Sequence, residues 1–283
     1  MKILTFAVFL GAVFVVALIF TPIFGGMFTQ QNLGYYQEKL SESRTSATYK
    51  IIYDSHDASI HALLTIPKEW EKVPVFVIIP AASIEKESEQ RHLGAELNEL
   101  GYATFIIDPR GQGATGGSVP SLANDFMLNF KEGGYPVLYK MVDDVFRAYE
   151  IVAERPEIDP ERIYVAGESA GGRYAIIAAA LRPEFAGLLA ISSSGYDFNT
   201  VDQDAILVEY MNNINPFSYI GNISAKVAIV HGDSDGIIPL EDGRKLFDAA
   251  TEPKKFFEIE GGGHSFESMD HSVIDEVIEW LSS

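Results

Sequence analysis

At positions 164–180 the sequence reads YVAGESAGGRYAIIAAA, and the rest of the chain is best understood outward from it. A short apolar run ends in Gly167-Glu168-Ser169-Ala170-Gly171 and passes at once into an alanine-rich helix former. A serine displayed on so abrupt a strand-to-helix turn needs small neighbours, because the chain passes close to itself there. The start of the following helix aims its unbonded N–H groups and its dipole at the place where an oxyanion would form. The pentapeptide alone is also what a glycine-rich packing turn looks like. Its position between an apolar strand and an alanine-rich helix favours the functional reading, with Ser169 as nucleophile.

On either side of this turn, short β-branched runs alternate with longer amphipathic stretches. Strands are predicted at 49–53, 60–66, 75–79, 104–107, 163–166, 188–191, 227–230 and 256–259, and helices at 87–100, 138–154, 171–181, 241–250 and 272–281. Several middle runs are apolar throughout, as parallel strands buried on both faces are. The first two strands flank the polar DSHDAS and read as a hairpin leading into the parallel part. The pattern predicts an α/β fold, a mostly parallel eight-stranded sheet with helices on both faces.

A serine hydroxyl is a weak nucleophile and needs a base, itself oriented by a carboxylate. On a turn of this kind the chain order is serine, acid, histidine. Downstream, KVAIVHGDSDGIIP is a buried strand running into a turn with two aspartates. Asp235 lies past the strand end, where it can reach a site; Asp233 is placed to cap the turn. Then KKFFEIEGGGHSF runs from a strand through three glycines to His264. Of six histidines, His56, His61 and His92 precede the nucleophile, His231 ends a strand, and His271 sits near a helix start. His264 is the expected base. No two histidines have the i, i+4 spacing of a helical zinc site, so neither a metal nor a cofactor is expected.

With SIHALLTIP, LNELGYATFIIDPRGQGATGGS, DPERIYVAGESAGG, VHGDSDGIIP and GGGHSF in place, residues 47–283 resemble the α/β-hydrolase superfamily, in its esterase and prolyl-oligopeptidase-like or dienelactone-hydrolase-like branches. The resemblance implies Asp235 and His264 as acid and base. It also implies an oxyanion hole of two backbone N–H groups, one following the nucleophile (Ala170) and one in the loop after the third strand. Relatives commonly carry His-Gly in that loop, where this chain has Pro80-Ala81. The register gives Ala82 as the second donor, with Ala81 the alternative.

Composition narrows the partners. A formal net charge of −19 argues against nucleic acid, whose phosphates need a basic face. The absence of cysteine removes disulfides, a thiol nucleophile and thiolate metal sites. Residues 3–29 carry no charge and are long enough to cross a bilayer as one transmembrane helix. A signal peptide cleaved to release a secreted protein is the competing reading. The expected organisation is an anchor at 1–29, a polar tether at 30–46 and a hydrolase domain at 47–283, its bulk outside the cytoplasm by the positive-inside tendency. Two inserts, 114–139 and 196–225, mix glycine with aromatic residues, the second being a candidate cap. Both suit an apolar acyl or aromatic small-molecule substrate, and both equally suit plain packing. The leading expectation is hydrolysis of a carboxylic ester, or an amide, through an acyl-enzyme. A serine peptidase of the oligopeptidase type comes second, with no accessory propeller or acidic pair in evidence. A non-catalytic membrane-tethered binding protein comes third, and the ordered Ser-Asp-His set speaks against it.

Overall fold

The computed structural model describes residues 34–119 and 121–283. The strands are β1 Tyr35–Glu42, β2 Ser46–Ser55, β3 Ala58–Pro67, β4 Val73–Ile79, β5 Ala103–Ile107, β6 Ile158–Glu168, β7 Gly187–Ile191, β8 Lys226–Gly232 and β9 Lys254–Ile259. They form one sheet in the order β1-β2-β3-β5-β4-β6-β7-β8-β9. The first three pairings along this order are antiparallel and the remaining five parallel. The helices are α1 Lys86–Arg91, α2 Leu93–Glu99, α3 Leu122–Asp125, α4 Val137–Ala153, α5 Ala170–Leu181, α6 Ala205–Ile214, α7 Leu240–Ala249 and α8 Val273–Ser282.

Successive strand side chains point to opposite faces, so each central strand feeds two cores. Val75, Val77 and Ile79 of β4 pack with α4 and α5 on one face, with Leu246 of α7 in the same core. Phe76 and Ile78 face Leu93 and Leu97 of α2, in a core shared with Val277 and Leu281 of α8. All of β4, β5 and β7 is buried, which is why those runs are apolar without alternation. In α5 the buried Ala175, Ala178 and Ala179 have no bulk to hold the helix off the sheet.

Two expectations are corrected. The sheet has nine strands rather than eight, because residues 35–42, read as part of a polar tether, form β1. Its side chains are almost all exposed, so no hydrophobic period marks it; main-chain pairing with β2 makes it a strand, and Arg155 reaches the Tyr35 hydroxyl and the Gln37 side chain. The helix expected over 87–100 is two helices, broken at His92, whose backbone leaves the helical region with φ −109° and ψ −101°. The anchor expected at 1–29 falls outside the described residues. Among the described residues no helix is long and apolar enough to cross a membrane.

Candidate active site

Strand β6 ends at Glu168, helix α5 begins at Ala170, and Ser169 is the single residue between them. Its φ of +53° is a conformation that side-chain-bearing residues rarely adopt and that surrounding structure must impose. The imposing contacts are specific. A Cβ on Gly167 would strike the backbone of Gly171 and Gly172, and one on Gly171 would strike the Ile79 and Pro80 carbonyls at the end of β4. The Ser169 N–H donates to the Ile191 carbonyl at 2.8 Å, and the Ser193 hydroxyl donates to the Ser169 carbonyl at 2.9 Å. The glycines are thus required by close approach, and the next strand locks the serine from the other side.

The turn after β8 delivers Asp235, which is 8% exposed. Its Oδ1 accepts the Ile237 and Ile238 N–H groups at 2.8 and 2.9 Å, and its carboxylate lies 2.9 Å from Nδ1 of His264. Burial opposes ionisation of Asp235, but the Ile238 N–H, the His264 ring and the Ile237 N–H outweigh it and hold its pKa below the ordinary value. Asp233 faces elsewhere, accepting the Gly261 N–H at 2.8 Å and the Ser234 hydroxyl at 3.0 Å. It shapes the glycine loop and does not touch the ring. The other nitrogen of His264, Nε2, lies 2.9 Å from the Ser169 hydroxyl oxygen. His231 is buried beneath, its Nε2 bonded to the Ile238 carbonyl at 2.9 Å.

The remaining histidines lie apart from this site. His56 pairs with Asp143 and His271 with Glu96, while His92 stands 3.6 Å from Glu267. Among the described residues no cluster of His, Asp or Glu could hold a metal ion.

Ala82 sits in an exposed turn after β4, closed by an Ile84 N–H bond to the Ala81 carbonyl and shaped by the positive φ of Ser83. The first turn of α5, whose initial N–H groups have no partner within the helix, packs against the β4 end from which this turn leaves. Arg173, just after the elbow, bonds the Ser194 carbonyl and hydroxyl and lies over the Tyr196 ring at 4.4 Å. The aromatic inserts pack on each other: Phe126 and Phe130 stand 5.6 and 5.4 Å from Tyr210, whose hydroxyl donates to buried Asp125. An apolar cavity of about 160 Å³ opens between α4, α5 and the 196–219 segment, and none of Ser169, Asp235 or His264 lines it.

Sequence reasoning missed the buried charges that build the platform. Asp108 accepts from Lys86 Nζ at 2.6 Å and from the N–H groups of Lys86 and Ala114. Arg110 bonds both oxygens of Asp144 at 2.8 and 2.9 Å. The only available signal was charged residues within the otherwise quiet DPRGQG run, and charge there gives no hint of burial.

A mostly parallel sheet with helices on both faces and a serine on a strand-to-helix elbow is the α/β-hydrolase architecture. The chain belongs to the acetyl xylan esterase family: the family's profile, Acetyl xylan esterase (AXE1), matches residues 30–213. That family is one of carboxylic ester hydrolases. The match ends before Asp235 and His264. The chain is 25% identical over 197 residues to the uncharacterized protein Rv2307c of Mycobacterium tuberculosis, covering 67% of this chain and 62% of that one. It thus spans about six-tenths of that relative's length. An acetyl xylan esterase from Paenibacillus sp. R4 superposes with a TM-score of 0.70 at 20% identity, over 89% of each chain. Acetyl xylan esterase 1 from Thermoanaerobacterium sp. JW/SL YS485 gives 0.69 at 16% identity, over 87% of this chain and 86% of that one.

Proposed function

We propose that this protein is a serine ester hydrolase that cleaves a carboxylic ester of a small acyl group through an acyl-enzyme, with Ser169, His264 and Asp235 as its triad. The observation that carries the reading is the continuous contact from Ser169 Oγ to His264 Nε2, and from His264 Nδ1 to Asp235, each at 2.9 Å. Family membership supports the ester, and an acetyl group in particular.

In this mechanism His264 Nε2 takes the hydroxyl proton as Ser169 Oγ bonds to the carbonyl carbon. The carbonyl oxygen becomes an oxyanion held by the N–H groups of Ala170 and Ala82. His264 returns the proton to the departing alcohol, leaving acyl-Ser169. A water then gives its proton to His264 and attacks the acyl carbon, and the acid leaves as the proton goes back to Ser169. Asp235 keeps the ring's Nδ1 protonated and stabilises the imidazolium formed in each half-reaction.

The test compares wild type with Ser169→Ala, using a fluorophosphonate probe and p-nitrophenyl acetate. Wild type is expected to label and turn over, and the variant to do neither. A folded wild type inert to both reagents sinks the reading.

The uncharged run at 3–29 supports a further proposal, that the enzyme is tethered to a membrane by its N-terminus with the domain outside the cytoplasm. Full-length protein is then expected in the membrane fraction with its first residues intact. An N-terminus near Met27 on the mature protein would identify a cleaved signal instead.

A further inference from the structure

Glu168, between the first glycine and the nucleophile, is more than a spacer. The residue is 3% exposed, and its Oε2 accepts the N–H of Phe266 at 3.3 Å. Phe266 stands two places beyond His264, so this bond ties the nucleophile strand to the loop that carries the ring. A second carboxyl, Glu89 on α1, is also 3% exposed, and its Oε1 has no hydrogen-bond partner among the described residues. The ionisable groups that face Glu168 are Glu89 from α1 and both His264 and Glu267 from the segment after β9. Glu267 in turn has His92 nearby. Of the cations on the same helix, Lys86 is committed to Asp108 and Glu87, and Arg91 is exposed at the helix end.

Two carboxylates buried together without a cation cannot both be charged at little cost. Burial, and then the charge of Glu168, push Glu89 well above the carboxylate range, so the proton stays on Glu89. Burial also raises Glu168, to about 7, against the opposing pull of the Phe266 N–H and the His264 ring.

We propose that Glu168 is a positioning residue for the ester hydrolysis, acting through His264: its carboxylate fixes the 264–266 loop and balances the imidazolium that forms when Ser169 gives up its proton. The proposal rests on the reading of His264 as the base. Glu168 exchanges no proton with substrate; its effect is electrostatic and geometric. Ionised, it holds the Phe266 N–H by a charge-assisted bond roughly twice as strong as the neutral one. The base is therefore better placed and better supported on the alkaline side of the Glu168 titration than on the acid side.

The test is the pH profile of kcat/KM for p-nitrophenyl acetate in wild type, Glu168→Gln and Ser169→Ala. Glutamine keeps the shape and an acceptor for Phe266 but cannot ionise. The ratio of wild type to Glu168→Gln is expected to grow about tenfold from about pH 6 to about pH 8, the factor that one pKa unit of base strength represents. A ratio flat across that range overturns the proposal. Should Glu168→Gln fail to fold, infrared spectra of Glu89→Gln, which removes the other buried carboxyl, decide: a protonated-carboxyl band titrating near neutrality supports the proposal, and its absence at about pH 6 overturns it. If Ser169→Ala is inactive while the ratio stays flat, only this inference falls. If Ser169→Ala stays active, the triad reading falls with it.

Discussion

Around Ser169 each position answers to a contact that another residue could not make, whereas β1, at the edge of the same sheet, is held by its main chain with seven of eight side chains exposed. At the first place Gly167 and Gly171 are set by backbone atoms that a Cβ would strike, and Asp235 by two N–H groups and a ring. At the second, Tyr35 to Glu42 pair with β2 through a register that slips between Lys39 and Ser41. The site is specified residue by residue, while the edge beyond the Arg155 contacts with Tyr35 and Gln37 is specified as extended chain. Substitutions should therefore have very different consequences at the two ends of the sheet.

The largest contrast lies within the site. Asp235→Asn, which leaves the ring without its counter-charge, is expected to lower kcat by roughly 10³–10⁴-fold. Asp233→Asn, two residues away and bonded only to the glycine loop and Ser234, is expected to stay within about tenfold. Steady-state kinetics on both variants checks this, and equal losses would mean that the wrong aspartate has been assigned. A structural contrast comes next. Gly171→Ala drives a methyl group into the Ile79 and Pro80 carbonyls. It should cost about 3 kcal/mol or more in urea unfolding, if soluble protein is obtained at all. The smallest effect belongs to the edge. Lys39→Ala removes an exposed contact with Glu42 and should move Tm by less than about 2 °C. A larger drop would show that β1 is held by its side chains after all.

The same contrast explains what the sequence made legible. The elbow could be read because its steric demands fall on residue identity itself: glycine before and after the serine, then alanines. Asp235 could be read because it follows a strand whose burial leaves an apolar run, and His264 because three glycines carry the chain from the half-buried β9 to the ring. Strand β1 could not, since an exposed edge leaves no period of two. The break at His92 was hidden in a continuous amphipathic stretch. Glu168 was hidden differently. Charged residues are almost never fully buried without a partner, so a glutamate in the pentapeptide reads as solvated until the fold closes over it. The inserts stayed ambiguous for a third reason: Phe126 and Tyr210 carry the same apolar surface whether they pack on each other or on a substrate.

In the proposed reaction an ester's acyl group passes through Ser169. Mixing the enzyme with p-nitrophenyl acetate, quenching in acid during turnover and mapping the digest by mass spectrometry tests it directly. One acetyl group is expected on the peptide spanning the elbow, localised to Ser169. Turnover with no acyl adduct, or an adduct confined to another serine such as Ser193, would contradict it.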